Sequence, residues 1–438
     1  MAVEDRIEAV LDHLGIARAH FAGRAGADWE GVVARRPERL ASLTLLCPAA
    51  LDAQNLQGLA ARLLVVTGDH GPGPHRVLAV LPMLPQAATR VLADYTGFTW
   101  ADLTVERGGE IAAAMRDFLS GIEAHEPSPR ASPALQEGEI AGISFEVRGV
   151  GPPLLLLPLD LAPTQWSALI PSLAEDWCTI ALGGPHLGSV ASLEERGRSG
   201  YIAIVRQLLD LSAIVPGETV LELGCGSGVI MRELARRTSG RNRLIGVDCS
   251  PYLIGEARKL ARRAGLLRLI ELCECSGEAL PLASASVDVA LCSTVLEEGD
   301  AERMLAELVR VTRPGGRIGV VVRAVDRACW VNLPLDPAIR EKTEAPGTIG
   351  GGVSPRGCAD ASLYSRLLAL GLQQLLTFPQ LVAVRPPSPR LARYQQQILA
   401  GLTPAEIEAW RRAAAPAESE GTFFIAQPFH GAVASKPV

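Results

Sequence analysis

Val220-Leu221-Glu222-Leu223-Gly224-Cys225-Gly226-Ser227-Gly228 is the stretch of sequence that decides the fold of the second half of this chain. It is a short apolar run with an acid near its end, followed by three glycines at every second position, and residues 229–237 behind it have the pattern of a helix. This order predicts a strand, a tight turn and a helix, in which the glycines remove the Cβ atoms where a ligand would lie against the backbone. A glycine-rich turn alone is weak evidence, because dinucleotide-binding enzymes place G-x-G-x-x-G at the same point.

Further landmarks follow the glycine turn in order along the chain. A second apolar run, residues 244–247, ends in Asp248, and an acid at the tip of the second strand of such a sheet commonly binds ribose hydroxyls. Residues 277–282 have the pattern of a loop, residues 287–292 that of a buried strand, and residues 310–317 that of a turn into another strand. The ordered set is a stronger signal than any one landmark alone.

The spacing E-x-G-x-G-x-G and these landmarks resemble the class I S-adenosylmethionine-dependent methyltransferases, and among them the ubiquinone/menaquinone-type branch. The resemblance implies an α/β domain with a Rossmann-like, seven-stranded sheet over residues 191–438. Residues 192–211 are expected to form a helix that covers the cofactor, and residues 375–384 a late strand. The rival interpretation of the glycine turn is a nicotinamide-type Rossmann domain, which the later landmarks do not fit.

The cofactor implied by the resemblance is S-adenosyl-L-methionine. Asp248 would accept both ribose hydroxyls, and Glu222 would act on the methionine side through ordered water or the backbone. The family usually has an acid at the position of Ser276, where it accepts a hydrogen bond from the adenine amino group. A serine there would make this hydrogen bond weaker. The residues implied to surround the cofactor are Glu222, Gly224, Cys225, Gly226, Gly228, Asp248, Cys249, Ser276, Gly277, Glu278 and Ser293.

Three residues are candidates for catalysis. Glu297 and Glu298 follow the fourth strand, at the carboxyl edge where ligands enter such sheets, and either could be a general base. Related methyltransferases often have His where Glu298 stands, although a solvated helix face would explain both acids as well. His186, at the end of the preceding domain, could also reach the site, and its alternative interpretation is a turn histidine at a strand end.

The first part of the chain alternates strand and helix patterns, which predicts a second α/β unit with a parallel sheet. Residues 11–49 resemble the nucleophile-elbow region in the second half of an α/β-hydrolase. The chemistry is missing, because Ala25 stands where the nucleophilic serine would be and Ala27 replaces the second glycine. The positions of the acid and the histidine fall near Gly71 and Gly97, so this region is interpreted as an inactive scaffold.

Residues 142–188 resemble the first half of the same hydrolase fold, so the two halves occur in reversed order. We therefore expect residues 1–190 to form one degenerate, circularly permuted hydrolase-like domain, with residues 1–123 and 138–190 joined by a linker rich in Pro, Ser and Ala. The hypothesis requires both halves to share one sheet, because each half alone would leave exposed edge strands with unpaired backbone groups. Two separate sheets would rule it out.

Composition limits the classes of partner. The 438 residues exceed one ordinary domain, and the net charge of −6 argues against a nucleic-acid partner held by bulk charge. No apolar run reaches the length of a membrane span, no signal pattern precedes the first helix, and nine cysteines at irregular spacing suggest a reducing, cytoplasmic location. Cys273 and Cys275 are assigned to one face of a strand and no metal is expected.

The sequence thus predicts a cytoplasmic methyltransferase that acts on a small molecule. The alternative is a non-catalytic protein that binds S-adenosylmethionine or a nucleotide for interaction, and a third hypothesis is residual hydrolase activity in the first domain. That domain could serve as a lid, a homodimer surface or a wall of the substrate site. Fold analogy does not supply the methyl acceptor.

Overall fold

The chain consists of two compact units, Met1–Ser192 (unit 1) and Leu193–Val438 (unit 2), in a computed structural model. The structure describes residues 1–24, 26–97, 100–133, 135–350, 352–386 and 388–438. Ala25, the residue at the predicted nucleophile position, therefore lies outside the described residues. No helix in the described ranges has both the length and the apolar character needed to cross a lipid bilayer.

Unit 1 combines one sheet with helices on its faces. Its strands are β1 (Ala19–Gly23), β2 (Leu40–Leu46), β3 (Leu63–Gly68), β4 (Ala88–Leu92), β5 (Glu137–Ile140), β6 (Ile143–Arg148), β7 (Pro153–Leu156) and β8 (Cys178–Gly183). Its helices are α1 (Val3–His13), α2 (Glu30–Arg35), α3 (Ala53–Leu56), α4 (Pro72–Val80), α5 (Leu103–Glu106), α6 (Gly108–His125), α7 (Ile170–Leu173) and the beginning of α8 (Gly188–Arg196).

The strands of unit 1 form a single eight-stranded sheet in the order β4-β3-β2-β1-β7-β8-β6-β5. The central strands β1 and β7 pair in parallel, with Phe21 opposite Leu155, and both are buried apolar runs as expected for the middle of a parallel sheet. Only β6 and β5 run antiparallel to their neighbours. Residues 1–123 and 138–190 thus share one sheet, which is what the circular-permutation hypothesis requires.

A buried carboxyl group links two loops of unit 1. Asp28 is 4% exposed and its Oδ1 accepts a hydrogen bond of 3.0 Å from the backbone N–H of Gly188, at the start of α8. Its Oδ2 has no hydrogen-bond partner within the part of the chain that the structure describes. Burial raises the pKa of Asp28 to about 7. The hydrogen bond from the Gly188 N–H lowers this pKa, and the charge of Asp160 raises it slightly. The side chain is therefore protonated in the folded protein over much of the acidic range.

Unit 2 contains the remaining elements. Its strands are β9 (Thr219–Leu223), β10 (Arg243–Asp248), β11 (Ile270–Glu274), β12 (Val287–Ser293), β13 (Thr312–Arg323), β14 (Trp330–Val331), β15 (Gln373–Thr377), β16 (Gln380–Val384) and β17 (Ile425–Ser435). Its helices are α9 (Tyr201–Leu211), α10 (Val229–Thr238), α11 (Pro251–Arg263), α12 (Ala301–Val311), α13 (Pro337–Glu344), α14 (Ser362–Ala369), α15 (Pro389–Leu399) and α16 (Pro404–Ser419).

The sheet of unit 2 runs β11-β10-β9-β12-β13-β17-β14, and β15 and β16 also pair with β17. The first five strands are parallel and follow the doubly wound order 3-2-1-4-5, whereas β17 is antiparallel to β13. The strand order reverses between β9 and β12, and ligands bind at the carboxyl ends of the strands flanking such a switch point. The predicted α/β class is confirmed, and the sheet has nine strands where seven were expected.

Two predicted elements of unit 2 are broken in the structure. The helix expected over residues 192–211 is two helices, because the chain turns at residues 197–200, which include Gly197 and Gly200. The strand expected over residues 375–384 is divided into β15 and β16, which pair one after the other with β17. The break lies next to Pro379, which has no N–H to donate to a ladder.

Asp28→Asn should change how the stability of the protein depends on pH. A carboxyl whose pKa rises on folding binds its proton more tightly in the folded state, so its contribution is lost as pH rises from about 4 to about 7. The wild type should therefore lose stability relative to Asp28→Asn by up to roughly 1 kcal/mol for each pH unit in this range.

Denaturant unfolding at several pH values measures this difference, and the exposed Asp117→Asn substitution in α6 is the control. A difference between wild type and Asp28→Asn that stays constant from pH 5 to pH 8 would contradict the assignment.

Candidate functional site

The turn after β9 is built from backbone that only glycine adopts easily. Gly224, Gly226 and Gly228 have φ angles of 73°, 53° and 80°, all in the left-handed region. The N–H groups of Gly224 and Cys225 both donate to the carbonyl of Val247, at 2.8 and 2.9 Å, so the turn is fastened to β10. A Cβ on Gly224 would lie 2.1 Å from Cγ2 of Val295. The glycines are therefore required by the turn itself, as well as by any ligand above it.

The side chain of Cys225 is buried against Gly246 of β10. It is 5% exposed, and its Cβ and Sγ lie 3.1 Å from the position where a Cβ of Gly246 would be. Gly246 in β10 thus provides the space for the thiol. Cys225 can contribute its backbone to a ligand site, whereas its buried thiol serves packing.

Asp248 holds the glycine turn. Its Oδ2 accepts a hydrogen bond of 2.8 Å from the N–H of Gly226, and its Oδ1 accepts one of 2.9 Å from the N–H of Ser250. Burial raises the pKa of Asp248, and the backbone N–H groups of Ser250, Gly226 and Cys249 oppose that shift. A carboxylate has about four acceptor positions, so Asp248 keeps acceptor capacity for a hydroxyl of a ligand.

Glu222 places a second acid beneath the turn. It is 2% exposed, and its Oε2 has no hydrogen-bond partner among the described residues. Burial raises the pKa of Glu222 well above its usual value, and the charge of Asp248 raises it further, while the N–H of Met231 in α10 and the guanidinium of Arg232 lower it. A buried acid with a free oxygen would gain most from a cationic ligand group.

Arg196 and Tyr201 form the roof over this acid. The guanidinium of Arg196 lies 4.9 Å from the ring centroid of Tyr201 and donates a hydrogen bond of 2.8 Å to Oγ1 of Thr294. The hydroxyl of Tyr201 is 2.7 Å from Oγ of Ser293. Thr294 has a φ of 56°, so the chain leaves β12 through a strained residue at the point that the roof contacts.

A buried ion pair fastens the end of α8 to the glycine turn. The guanidinium of Arg232 contacts both carboxylate oxygens of Glu194 at 2.6 Å and also donates to the carbonyl of Ser227. The hydroxyl of Ser227 donates to the same carboxylate at 2.6 Å. The hydroxyl and the carbonyl of Ser227 are therefore both hydrogen-bonded within the protein.

A cavity of about 30 Å³ lies between the roof and the turn. This volume holds about two water molecules, so a larger ligand requires the roof to move. The cavity is lined by Leu193, Arg196, Tyr201, Val205, Glu222, Gly224, Cys225, Gly226, Ser227, Val229, Ile230 and Ser293.

The structure brings five of the predicted cofactor residues together around this cavity: Glu222, Gly224, Cys225, Gly226 and Ser293. Gly228 begins α10, and Asp248 reaches the turn through Gly226. Cys249 is exposed next to Asp248.

The predicted adenine loop has its own internal contacts. The hydroxyl oxygen of Ser276 accepts a hydrogen bond from the N–H of Glu278, and a Cβ on Gly277 would lie 3.0 Å from Leu223. Glu278 in turn accepts from the N–H of Asp300, which begins α12. The cofactor roles of these residues stay predictions.

The catalytic candidates lie in two different places. Glu297 is fully buried, so it is not on a solvated helix face, and its Oε1 accepts a hydrogen bond of 2.8 Å from the N–H of Arg323. Although burial alone would lower the pKa of Arg323, the carboxylates of Glu297 and Glu298 raise it. His186 belongs to unit 1, where its Cδ2 lies 2.7 Å from the position of a Cβ on Gly142. Their roles in catalysis stay predictions.

Sequence reasoning missed the side chains of the roof. It predicted that residues 192–211 would cover the cofactor, but it singled out neither Arg196 nor Tyr201. No motif marks them, and their position depends on how α8 and α9 pack on the strand ends. An arginine and an aromatic residue on either side of the Gly197–Gly200 turn, ahead of the first strand of unit 2, were the available signal.

Comparison with known proteins gives a family match for the central part of unit 2. Residues 220–316 match the family model described as a methyltransferase domain. Aklanonic acid methyltransferase DauC of Streptomyces sp. (strain C5) is 33% identical over 131 residues, which cover 30% of this chain and 59% of the relative. The ubiquinone/menaquinone biosynthesis C-methyltransferase UbiE of Klebsiella pneumoniae is 30% identical over 117 residues, which cover 26% of this chain and 47% of the relative.

The chain thus spans about half the length of these curated relatives. Among solved structures, the YcgJ protein from Bacillus subtilis aligns with 54% of this chain and 99% of its own, at 16% identity and a TM-score of 0.38. The family match places a methyltransferase domain in unit 2, on the strands that carry the glycine turn.

Gly224→Ala should destabilise the protein more than an alanine at another glycine with positive φ. Gly217 is the matched control, because its φ is 92° and a Cβ there meets no atom within 4 Å. We expect Gly217→Ala to cost about 1 kcal/mol for its backbone conformation alone. Gly224→Ala should cost roughly 1–3 kcal/mol more, because its Cβ collides with Val295.

Thermal or denaturant unfolding of both variants gives the comparison. Equal losses of stability would show that Val295 can move away from the new Cβ at no cost in free energy. The turn would then be less tightly packed than the contacts indicate.

Proposed function

We propose that this chain is an S-adenosylmethionine-dependent methyltransferase that transfers a methyl group to a small molecule. The observation that carries the proposal is the glycine turn that Asp248 holds at the switch point of the sheet, within the residues matched by the methyltransferase domain. An acid at the tip of the second strand is suited to the two hydroxyls of a ribose. The turn above β9 lets a ligand approach the backbone closely.

The residues at the turn fit the proposed cofactor. The methionine end of S-adenosylmethionine carries an ammonium group, and Glu222 has a buried oxygen that no described residue satisfies. The adenosine end carries ribose hydroxyls, and Asp248 keeps acceptor positions for them while it holds Gly226. Cys249 is exposed beside Asp248, where the adenine would lie next to the ribose. Glycine at positions 224 and 226 leaves the upper side of the turn without side chains.

The chemistry that the bound cofactor supplies is an electrophilic methyl group on a sulfonium sulfur. The protein's own contribution is to position the reactants for an in-line displacement, which accounts for much of the rate in such reactions. Asp248 and the glycine turn fix one end of the site, and Arg196 and Tyr201 line the cavity opposite the turn. We assign the role of general base to Glu297 or Glu298 for an acceptor that must lose a proton. Glu298 is partly exposed, whereas Glu297 is fully buried and could act only after a rearrangement that exposes it.

The acceptor is proposed only as a small molecule. The named relatives act on different acceptors, since one is called an aklanonic acid methyltransferase and another a ubiquinone/menaquinone C-methyltransferase. The resemblance to the latter supports assignment to that branch, which does not define the substrate. Nine free cysteines support a reducing location such as the cytoplasm.

We also propose that unit 1 is a circularly permuted, inactive α/β-hydrolase-like domain. The shared sheet, with β1 and β7 as its paired centre, supports this interpretation. The sequence at the elbow supports inactivity, since Ala25 cannot act as a nucleophile.

Unit 1 also contains a serine, a histidine and an acid in the order of a catalytic triad, away from the elbow. The two ring nitrogens of His20 lie 2.8 Å from Oγ of Ser42 and 2.8 Å from Oε1 of Glu123. Ser42 and His20 are fully buried, so a substrate cannot reach this serine.

The full chain should hydrolyse p-nitrophenyl acetate and butyrate no faster than buffer, because no nucleophile stands at the elbow. Release of p-nitrophenol, followed by absorbance, measures this rate. Hydrolysis that saturates with substrate and disappears in Ser42→Ala would contradict the inactive assignment and identify Ser42 as accessible in solution.

Isothermal titration with S-adenosylmethionine tests the proposed function. We expect the wild type to bind, and Asp248→Asn to lose roughly 1–3 kcal/mol of binding free energy, because the ribose loses a charged acceptor in a buried site. Asp210→Asn is the control, since Asp210 is an exposed residue of α9. Equal affinity of wild type and Asp248→Asn would show that the ribose site is elsewhere, and tighter binding of a nicotinamide dinucleotide would overturn the cofactor assignment.

A further inference from the structure

We propose that Cys273 and Cys275 form an oxidative modification site, at which a hydroperoxide such as hydrogen peroxide converts the two thiols to a disulfide. The link deforms the edge of the unit 2 sheet next to Asp248 and weakens cofactor binding. The proposal rests on the methyltransferase function proposed above, and it adds a reversible control of the same site.

The two cysteines are neighbours at the end of an edge strand. Cys273 belongs to β11, which is the first strand in the order of the unit 2 sheet, and Cys275 follows the last residue of that strand. Both side chains are half-buried and pack against the core cluster that contains Leu223 and Val247. Residues i and i+2 of an extended chain place their side chains on one face. Burial, and after it the adjacent thiol of Cys273, raises the pKa of Cys275 to about 11, so the two sulfur atoms interact.

The backbone of this segment is attached to the strand that carries the proposed ribose acid. Asp248 pairs with Glu274 in parallel register, and the N–H of Cys275 donates a hydrogen bond of 3.0 Å to the carbonyl of Asp248. Cys275 also directly precedes residues 276–278, the predicted adenine loop. A change in the backbone at Cys275 would therefore reach both ends of the proposed adenosine site.

An extended strand cannot hold this disulfide. A rise of about 3.3 Å per residue separates the Cα atoms of residues i and i+2 by about 6.6 Å, and parallel side chains keep their Cβ atoms about as far apart. A disulfide needs Cβ atoms about 3.5–4.5 Å apart, so the backbone at Glu274 must bend to bring them closer by roughly 2 Å. Because β11 pairs only with β10 among the described strands, the bend opens the end of one ladder, including the hydrogen bond to Asp248. The intact ladder and the disulfide are therefore alternative states.

The oxidation takes two balanced steps. The peroxide oxidises the thiol of Cys273 to a sulfenic acid and is itself reduced to water. The thiol of Cys275 then attacks the sulfenic sulfur, and a second water leaves as the disulfide forms. The first step belongs to Cys273, because the raised pKa of Cys275 keeps that thiol protonated at neutral pH. Strain in the bent strand favours reduction, so a thiol reductant restores the ladder.

The first experiment maps the link in the full chain. The protein is treated with hydrogen peroxide, its free thiols are alkylated after denaturation, and the peptide that contains both cysteines is sequenced by tandem mass spectrometry. We expect Cys273 and Cys275 to be joined and unalkylated, and dithiothreitol to reverse the link. Cys249→Ser is the control, because Cys249 is an exposed cysteine next to Asp248 and the variant should still form the link. Two alkylated thiols, a link from Cys275 to Cys249, or a sulfinic acid at Cys273 without a link would overturn the proposal.

The second experiment measures the opening of the ladder by amide hydrogen exchange. Oxidation should speed the exchange of the N–H of Cys275 by about tenfold or more, because this group loses the carbonyl of Asp248. Cys275→Ser keeps the N–H and cannot form the link, so peroxide should leave its exchange unchanged. Equal exchange in the reduced and the oxidised wild type would show that the link does not open the ladder, and it would overturn the proposed control.

The third experiment titrates S-adenosylhomocysteine into the reduced and the oxidised protein. The oxidised wild type should bind about 5- to 50-fold more weakly, because the ribose acid and the adenine loop are displaced together. Cys273→Ser should bind within about threefold of the reduced wild type and should not respond to peroxide. Equal affinity of the reduced and the oxidised wild type would overturn the proposal.

Failure of the methyltransferase function gives a different result. In that case the reduced wild type does not bind S-adenosylhomocysteine, and the first two experiments decide the fate of the thiol pair. A reversible link with faster exchange at Cys275 would support the modification site without the cofactor, and absence of the link would overturn it.

Discussion

The hydrogen bond from the N–H of Gly226 to the carboxylate of Asp248 is the contact on which unit 2 depends. It joins the loop after β9 to the end of β10, so two neighbouring strands present their carboxyl ends as one surface. The turn can form only because Gly224, Gly226 and Gly228 accept positive φ angles, and it is buried enough to raise the pKa of Asp248. The carboxylate that holds the turn is thus the same one to which we assign the ribose.

Around this contact, ion pairs fix the position of each neighbouring segment. Glu194 and Arg232 fasten the end of α8 to Ser227, and Arg317 contacts both carboxylate oxygens of Glu218 at 2.9 and 2.7 Å, just before β9. Buried or partly buried charges stabilise only when they are paired and hydrogen-bonded, and these pairs meet that condition. Glu222 and Arg196 are the exceptions at the cavity, since each keeps an unsatisfied atom within the described part of the chain. Unsatisfied charge in an otherwise satisfied region indicates a place for a ligand.

Local sequence patterns predicted the strands and turns whose structure depends on neighbouring residues in the chain. Continuous apolar runs gave the buried strands, including β1 at Ala19–Gly23 and β12 at Val287–Ser293, and the glycine turn with Asp248 was found from spacing alone. The errors have identifiable causes: Gly197, Gly200 and Pro379 break elements that were expected to be continuous. Arg196 and Tyr201 could not be found in this way, because their meeting depends on the packing of two helices. The reversed order of two hydrolase-like halves in unit 1 stays a prediction from the sequence, whereas the pairing of β1 with β7 shows that residues 1–123 and 138–190 share a sheet.

We propose above all that a nucleoside with an amino-acid end lies against the glycine turn, with its ribose at Asp248. A crystal structure of the full chain grown with S-adenosylhomocysteine tests this claim most directly. We expect density with both ribose hydroxyls within hydrogen-bond distance of the Asp248 carboxylate, the amino-acid end next to Glu222, and the side chains of Arg196 and Tyr201 displaced to admit it. An empty turn at saturating ligand, or a nucleoside bound elsewhere with Asp248 still contacting only Gly226 and Ser250, would contradict it.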